Sequence, residues 1–157
     1  MRTKLGREDG AAAVEFALIV GVLAMLLFGM LQFGVAFFQL QNLRAASREG
    51  ARIGAVDGTV SDIQARVLNA AGVSTLGNAV YVRTRTGSAT PATVSGATTR
   101  PCRPTSGPIP DSVIAGVNLQ DPTLPGGLKD AFTVDIPLMP SISLMSAQVQ
   151  GEFRCEH

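Results

Sequence analysis

The 157-residue chain has no tryptophan, one tyrosine and one histidine, and that histidine is its last residue, His157. Its two cysteines, Cys102 and Cys155, belong to no CxxC pair. A zinc site uses four ligands at short paired spacings, so no metal or other cofactor is expected. The motifs G-x-S-x-G, Walker A and H-E-x-x-H are all missing, and there is no second histidine to serve as a catalytic base. Asp57, Asp62, Asp111, Asp121, Asp130 and Asp135 are scattered, in the manner of solvated surface acids. These absences argue against an enzyme and against a small-molecule substrate. A net charge of +1 gives no electrostatic reason for a nucleic-acid partner.

Charge is also missing from one long stretch. Nothing charged or strongly polar occurs from Phe16 to Leu31, and after Gln32 the apolar run resumes to Phe38. As a helix, residues 16–38 would span roughly 35 Å, enough to cross a hydrocarbon core of about 30 Å. The apolar character runs all the way round rather than forming the stripe of a buried core helix. Gly21, Gly29 and Gly34 suit a membrane helix, where glycine is tolerated and allows close contact. A cleavable secretory signal would have a shorter apolar region followed by small residues. Here Val35-Ala36-Phe37-Phe38 places aromatics at that point. Orientation is undecided by charge: Arg2, Lys4 and Arg7 flank the segment on one side, Arg44, Arg48 and Arg52 on the other.

The start of the segment carries a more particular signal. A charged leader ends in Gly10, then come Ala11-Ala12-Ala13-Val14-Glu15-Phe16 and the apolar run, with Glu15 fifth after the glycine. This arrangement resembles type IV prepilins, and among them the TadE-like pseudopilins of tight-adherence (Flp, type IVc) pili. The similarity rests on GAAAVEFALI, on Phe33-Gly34 and on AASREGARIGA, and extends over about residues 6–56. The GFTLIE form of ordinary major pilins is absent, since the Phe and Thr are missing. The resemblance implies a prepilin peptidase cut between Gly10 and Ala11, with Glu15 the fifth residue of the mature chain. It also implies a single-pass protein of the bacterial cytoplasmic membrane with its N-terminus inside. The implied partners are the peptidase, other pilins, platform proteins and membrane lipid.

Chemistry gives Glu15 its own reason for a partner. An unpaired carboxylate near a bilayer core costs about 2–3 kcal/mol. After the cut, the new α-amino group of Ala11 would lie about one helical turn away, on the same chain or offered by a neighbouring subunit. A helix N-terminus favours the negative charge by about 0.3–1 kcal/mol as well. The plainer alternative is a glutamate snorkelling to the interface. Gly10 has no side chain to hinder an extended peptide in a protease cleft.

Beyond Phe38 the helical pattern continues through residues 39–56 without proline. Arg44, Arg48 and Arg52 form one stripe. Ala46, Gly50 and Gly54 recur every four residues on the roughly opposite face, allowing close approach of the protein's own sheet, of neighbouring helices in a filament, or both. Asp57-Gly58 should end the helix, with Gly58 in the left-handed cap. A second helix is expected with a Ser61/Gln64 capping box, an apolar face of Ile63, Val67, Ala70 and Ala71, and a stop at Gly72. Three alternating strands follow: Val80–Arg85, Phe132–Ile136 and Ala147–Cys155. Residues 87–129 hold seven of the nine prolines and read as a loop region, with room for one short strand at Ser112–Val117. Cys102 in that loop is the natural disulfide partner of Cys155, two free buried thiols being the alternative.

The expected organisation is therefore a leader at 1–10, a transmembrane and extended helix at 11–57, and an extracytoplasmic domain at 58–157. The fold class is α+β, a long helix on a small antiparallel sheet. The function expected is that of a minor pilin or pseudopilin assisting assembly of a tight-adherence pilus. A pseudopilin of type II secretion or DNA uptake, or an uncut single-pass binding protein, are the alternatives.

Overall fold

The computed structural model describes residues 8–72, 79–120, 133–134, 142–143 and 149–156. The chain is α+β: one long apolar helix packs on a small antiparallel sheet. Helix α1 (Glu8–Ala55) is 48 residues long, or about 72 Å at 1.5 Å per residue. It runs unbroken through Gly10, so its start lies three residues before the expected Ala11. Acidic residue types such as Glu8 and Asp9 suit a helix start, and the following alanines are the strongest helix formers. Residues 1–7 of the expected leader lie outside the described residues.

The end of α1 corrects one expectation. Asp57, not Gly58, takes the left-handed conformation, with φ 81°. Gly58 instead donates its N–H to the Ile53 carbonyl at 3.0 Å, the six-to-one bond of a Schellman turn. That bond brings it so close to Ile53 that a Cβ would lie 2.8 Å from the same carbonyl oxygen. The glycine is needed for room, and the left-handed strain falls on an aspartate, a residue type that tolerates it.

Helix α2 (Val60–Ala71) is capped by Thr59 and Asp62 rather than by Ser61 and Gln64. The Asp62 N–H donates to Thr59 Oγ1, while the Thr59 N–H donates to the Asp62 carboxylate at 3.0 Å. Aspartate closes the reciprocal box as well as glutamate does, which shifts the start by two residues. Gly72 ends the helix in the left-handed region, φ 68°, as expected. Val60, Ile63 and Val67 are buried and Ala71 packs at their edge, whereas Ala70 is exposed.

The sheet has the order β2 (Ala92–Thr93), β1 (Val80–Arg85), β3 (Ser112–Val117), β6 (Val149–Arg154), all antiparallel. Strand β3, the short strand expected at Ser112–Val117 within the loop region, is central: Val82 pairs with Ala115, and Ala115 with Gly151. All six of its residues are buried. Val113, Ala115, Val117, Val80, Val82 and Val149 share one core cluster, in which β3 and β6 pack on α1 and β1 on α2. On the final strand Val149 and Gly151 are buried and so is Cys155 beyond it, while Phe153 between them is 39% exposed. Strands β4 (Thr133–Val134) and β5 (Ile142–Ser143) form a separate two-stranded ladder. Thus the middle expected strand is not part of the main sheet over its described residues. Phe132, Ile136 and Ala147 lie outside the described residues.

Candidate functional site

Helix α1 has two parts. From Gly10 to Val35 nearly every residue is exposed, and Ala36 is the first buried one. The best 18-residue window has a mean hydropathy of 2.5 and is not buried by the rest of the chain. Phe16, Leu18, Ile19, Met30 and Leu31 are each more than 60% exposed. Water would charge such a surface about 25 cal/mol for every Å² of apolar area. The helix is long and apolar enough to cross a membrane, which gives those side chains an apolar solvent. Gly10, Ala11 and Glu15 lie exposed in its first two turns. Gly21, Gly29 and Gly34 have nothing within 4 Å of an added Cβ, so their faces are open to another helix or to lipid.

The second part, Ala36–Ala55, is held from two sides. A Cβ on Gly50 would lie 2.4 Å from Val67 Cγ2, and one on Gly54 would lie 2.7 Å from Ile63 Cδ1 and 3.1 Å from Val113. Ala46 is 1% exposed. At Gly50 and Gly54 the small-residue face is thus occupied chiefly by α2, with the sheet touching it at Gly54 through Val113.

Gly151 makes a closer approach still. A Cβ there would meet the Arg48 Cα at 2.5 Å and the carbonyl carbon of Ser47 at 2.8 Å, so β6 touches the backbone of α1 directly. The alternation expected over Ala147–Cys155 does not foretell this contact. A glycine inside an alternating strand was the available signal.

The top of the helix is clasped. Cys102 and Cys155 form a disulfide with Cα atoms 5.5 Å apart. Beside it, Asp57 accepts from Arg100 at 2.9 Å and lies 3.6 Å from Arg103. The Glu156 N–H donates to the Ala55 carbonyl, and the Val60 and Ser61 N–H groups donate to Thr99 and Ala97. The cysteine loop therefore closes over the α1–α2 junction. Lower on the helix, Glu49 pairs with Arg66 at 2.8 Å and with Arg52 at 3.8 Å. The Arg66 hydrogen bond holds its carboxyl below the ordinary range. Asp62 is lowered by its bonds to Thr59.

One groove, of about 690 Å³, lies at the end of the outer sheet face and is lined by Arg85, Asp111, Ser112, Glu152 and Arg154. Its acids are already engaged: Glu152 accepts from Ser112 at 2.5 Å and lies 3.5 Å from Arg85, and Asp111 accepts from the Gly87 N–H. Among the described residues no group of His, Cys, Asp and Glu is arranged to hold a metal ion.

Residues 10–52 match the model of the TadE-like protein family. Over this helix the chain is similar to TadE-like proteins. The match begins at the glycine before Ala11 and stops three residues short of the end of α1. The TadE-like segment therefore comprises the whole projecting half and most of the clasped half, and none of the sheet. No curated protein and no solved structure matches the chain.

Proposed function

We propose that this protein is a minor pilin or pseudopilin of a tight-adherence pilus. In this reading a prepilin peptidase cuts between Gly10 and Ala11, and Glu15 pairs with the freed amino group of its own or a neighbouring chain. The observation that carries the reading is the exposed apolar half of α1 within the TadE-like segment, with Glu15 as the carboxylate just before its apolar run. Such a helix serves as a membrane anchor before assembly, and its apolar surface becomes subunit contact afterwards. Other pilins and the platform proteins are its partners, and the protein is structural rather than enzymatic.

The disulfide supports an orientation with the N-terminus in the cytoplasm and the sheet domain outside, because disulfides persist in oxidising compartments. The small-residue face, being filled from within, leaves the projecting half of α1 as the surface for neighbouring subunits. The deciding experiment is the N-terminal sequence and intact mass of the protein from native membranes. A start at Ala11 is expected. An intact Met1 start would replace this reading with that of an uncut single-pass protein.

A further inference from the structure

Arg44 and Arg48 have no task in the proposed function. We infer that they hold the phosphates of anionic phospholipids in the outer leaflet of the membrane that α1 spans. The inference rests on the membrane-spanning reading above and adds a lipid preference to it.

Height along the helix makes the first argument. The apolar run ends at Phe38, which is 64% exposed. A hydrocarbon core of about 30 Å below Phe38 reaches down to roughly residue 18 at 1.5 Å per residue. Glu15 then falls in the inner headgroup layer, where a carboxylate is tolerated. The outer headgroup layer is about 5–8 Å deep. The Arg44 Cα stands about 9 Å above Phe38. Helical side chains lean toward the N-terminus, which here means toward the bilayer. An arginine at 44 therefore brings its guanidinium down into the phosphate layer, and Arg48, one turn higher on the same stripe, reaches its outer rim.

Charge makes the second argument. Arginines on a translocated flank run against the usual bias of membrane proteins. The guanidinium fork matches phosphate geometry and donates two parallel hydrogen bonds. Arg48 is exposed and Arg44 half-buried, although β6 touches the helix backbone at Arg48. Among the described residues neither makes an ion pair, whereas Arg52, higher still, lies against Glu49.

The test uses the full chain reconstituted in vesicles of phosphatidylcholine mixed with phosphatidylglycerol. Alkaline carbonate extraction first establishes insertion. Native mass spectrometry after mild detergent release then counts the lipids retained. Wild type is expected to enrich phosphatidylglycerol over phosphatidylcholine. Arg44→Gln and Arg48→Gln should each lower that enrichment by about five-fold, and Arg52→Gln should leave it unchanged. Equal enrichment in inserted wild type and in the inserted double variant would overturn the lipid contact alone. Extraction of the wild type by carbonate would overturn the membrane reading beneath it.

Discussion

The two halves of α1 share one backbone geometry and make opposite demands on their side chains. Between Gly10 and Val35 the helix is clothed in exposed apolar groups, and its glycines have empty space around them. Between Ala36 and Ala55 polar groups are tolerated on one side, while on the other Gly50 and Gly54 are pressed against α2 and β3. The lower half is indifferent to size and intolerant of charge. The upper half accepts charge on its open face and rejects size on its closed one. A single helix can thus serve two solvents, because bilayer insertion reads the sum of polarity over a segment and a protein core reads shape at each position.

The sharpest way to separate the halves is to remove the clasp that only the upper one has. Cys102→Ser with Cys155→Ser should lower the unfolding free energy of the sheet domain by about 4 kcal/mol, as expected for opening a loop closed across a sequence separation of 53. Urea unfolding in detergent measures it, and the carbonate resistance of the anchor should not change. Glycine replacement comes next. Gly151→Val should cost about 3 kcal/mol, because the new side chain meets the backbone of α1 at Arg48, which cannot swing aside. Gly21→Val should leave domain unfolding unchanged, and equal costs at both sites would break the comparison.

Charge should act the other way round. Leu23→Lys should cost about 2.5–3.5 kcal/mol of insertion, read from the fraction resisting carbonate extraction. Ala45→Lys, on the exposed face of the upper half, should change stability by no more than about 0.5 kcal/mol.

The smallest effects belong to the cap and the surface pairs. Thr59→Ala should cost about 1 kcal/mol in thermal unfolding. Asp62 and Glu49 both have carboxyls held below their ordinary values of 3.8 and 4.5. Their unfolded forms bind protons more readily, so their contribution is fully present above those values and is lost as pH falls through and below them. Melting temperature measured on acidification should decline in that window, and Thr59→Ala should flatten the part due to Asp62.

Much of the chain was legible because its signals are local. The apolar run, the unbroken helix beyond Phe38, the stop at Gly72 and the strand at Val80–Arg85 each follow from residues within one or two turns of each other. The capping box was misplaced by two residues because Ser61 and Thr59 both offer a hydroxyl. Asp62 closes the box with Thr59, and the approach of the cysteine loop, with Thr99 and Ala97 accepting from Val60 and Ser61, satisfies the next two N–H groups of the earlier start. Strand β3 was legible as a short strand at Ser112–Val117, but its central place was not, because prolines surround it and a strand buried on both faces shows no alternation.

By itself, then, the sequence determined the long apolar helix, its likeness to TadE-like proteins and the α+β class of the chain. Hydropathy and helix propensity add up along the chain and need no distant partner. The tertiary structure alone decided that β3 lies at the centre of the sheet, that Asp57 takes the left-handed turn, and that Gly50, Gly54 and Gly151 are spent on contacts within the chain. Those choices depend on which distant surfaces meet, and a close approach of two backbones leaves no periodic mark on either of them.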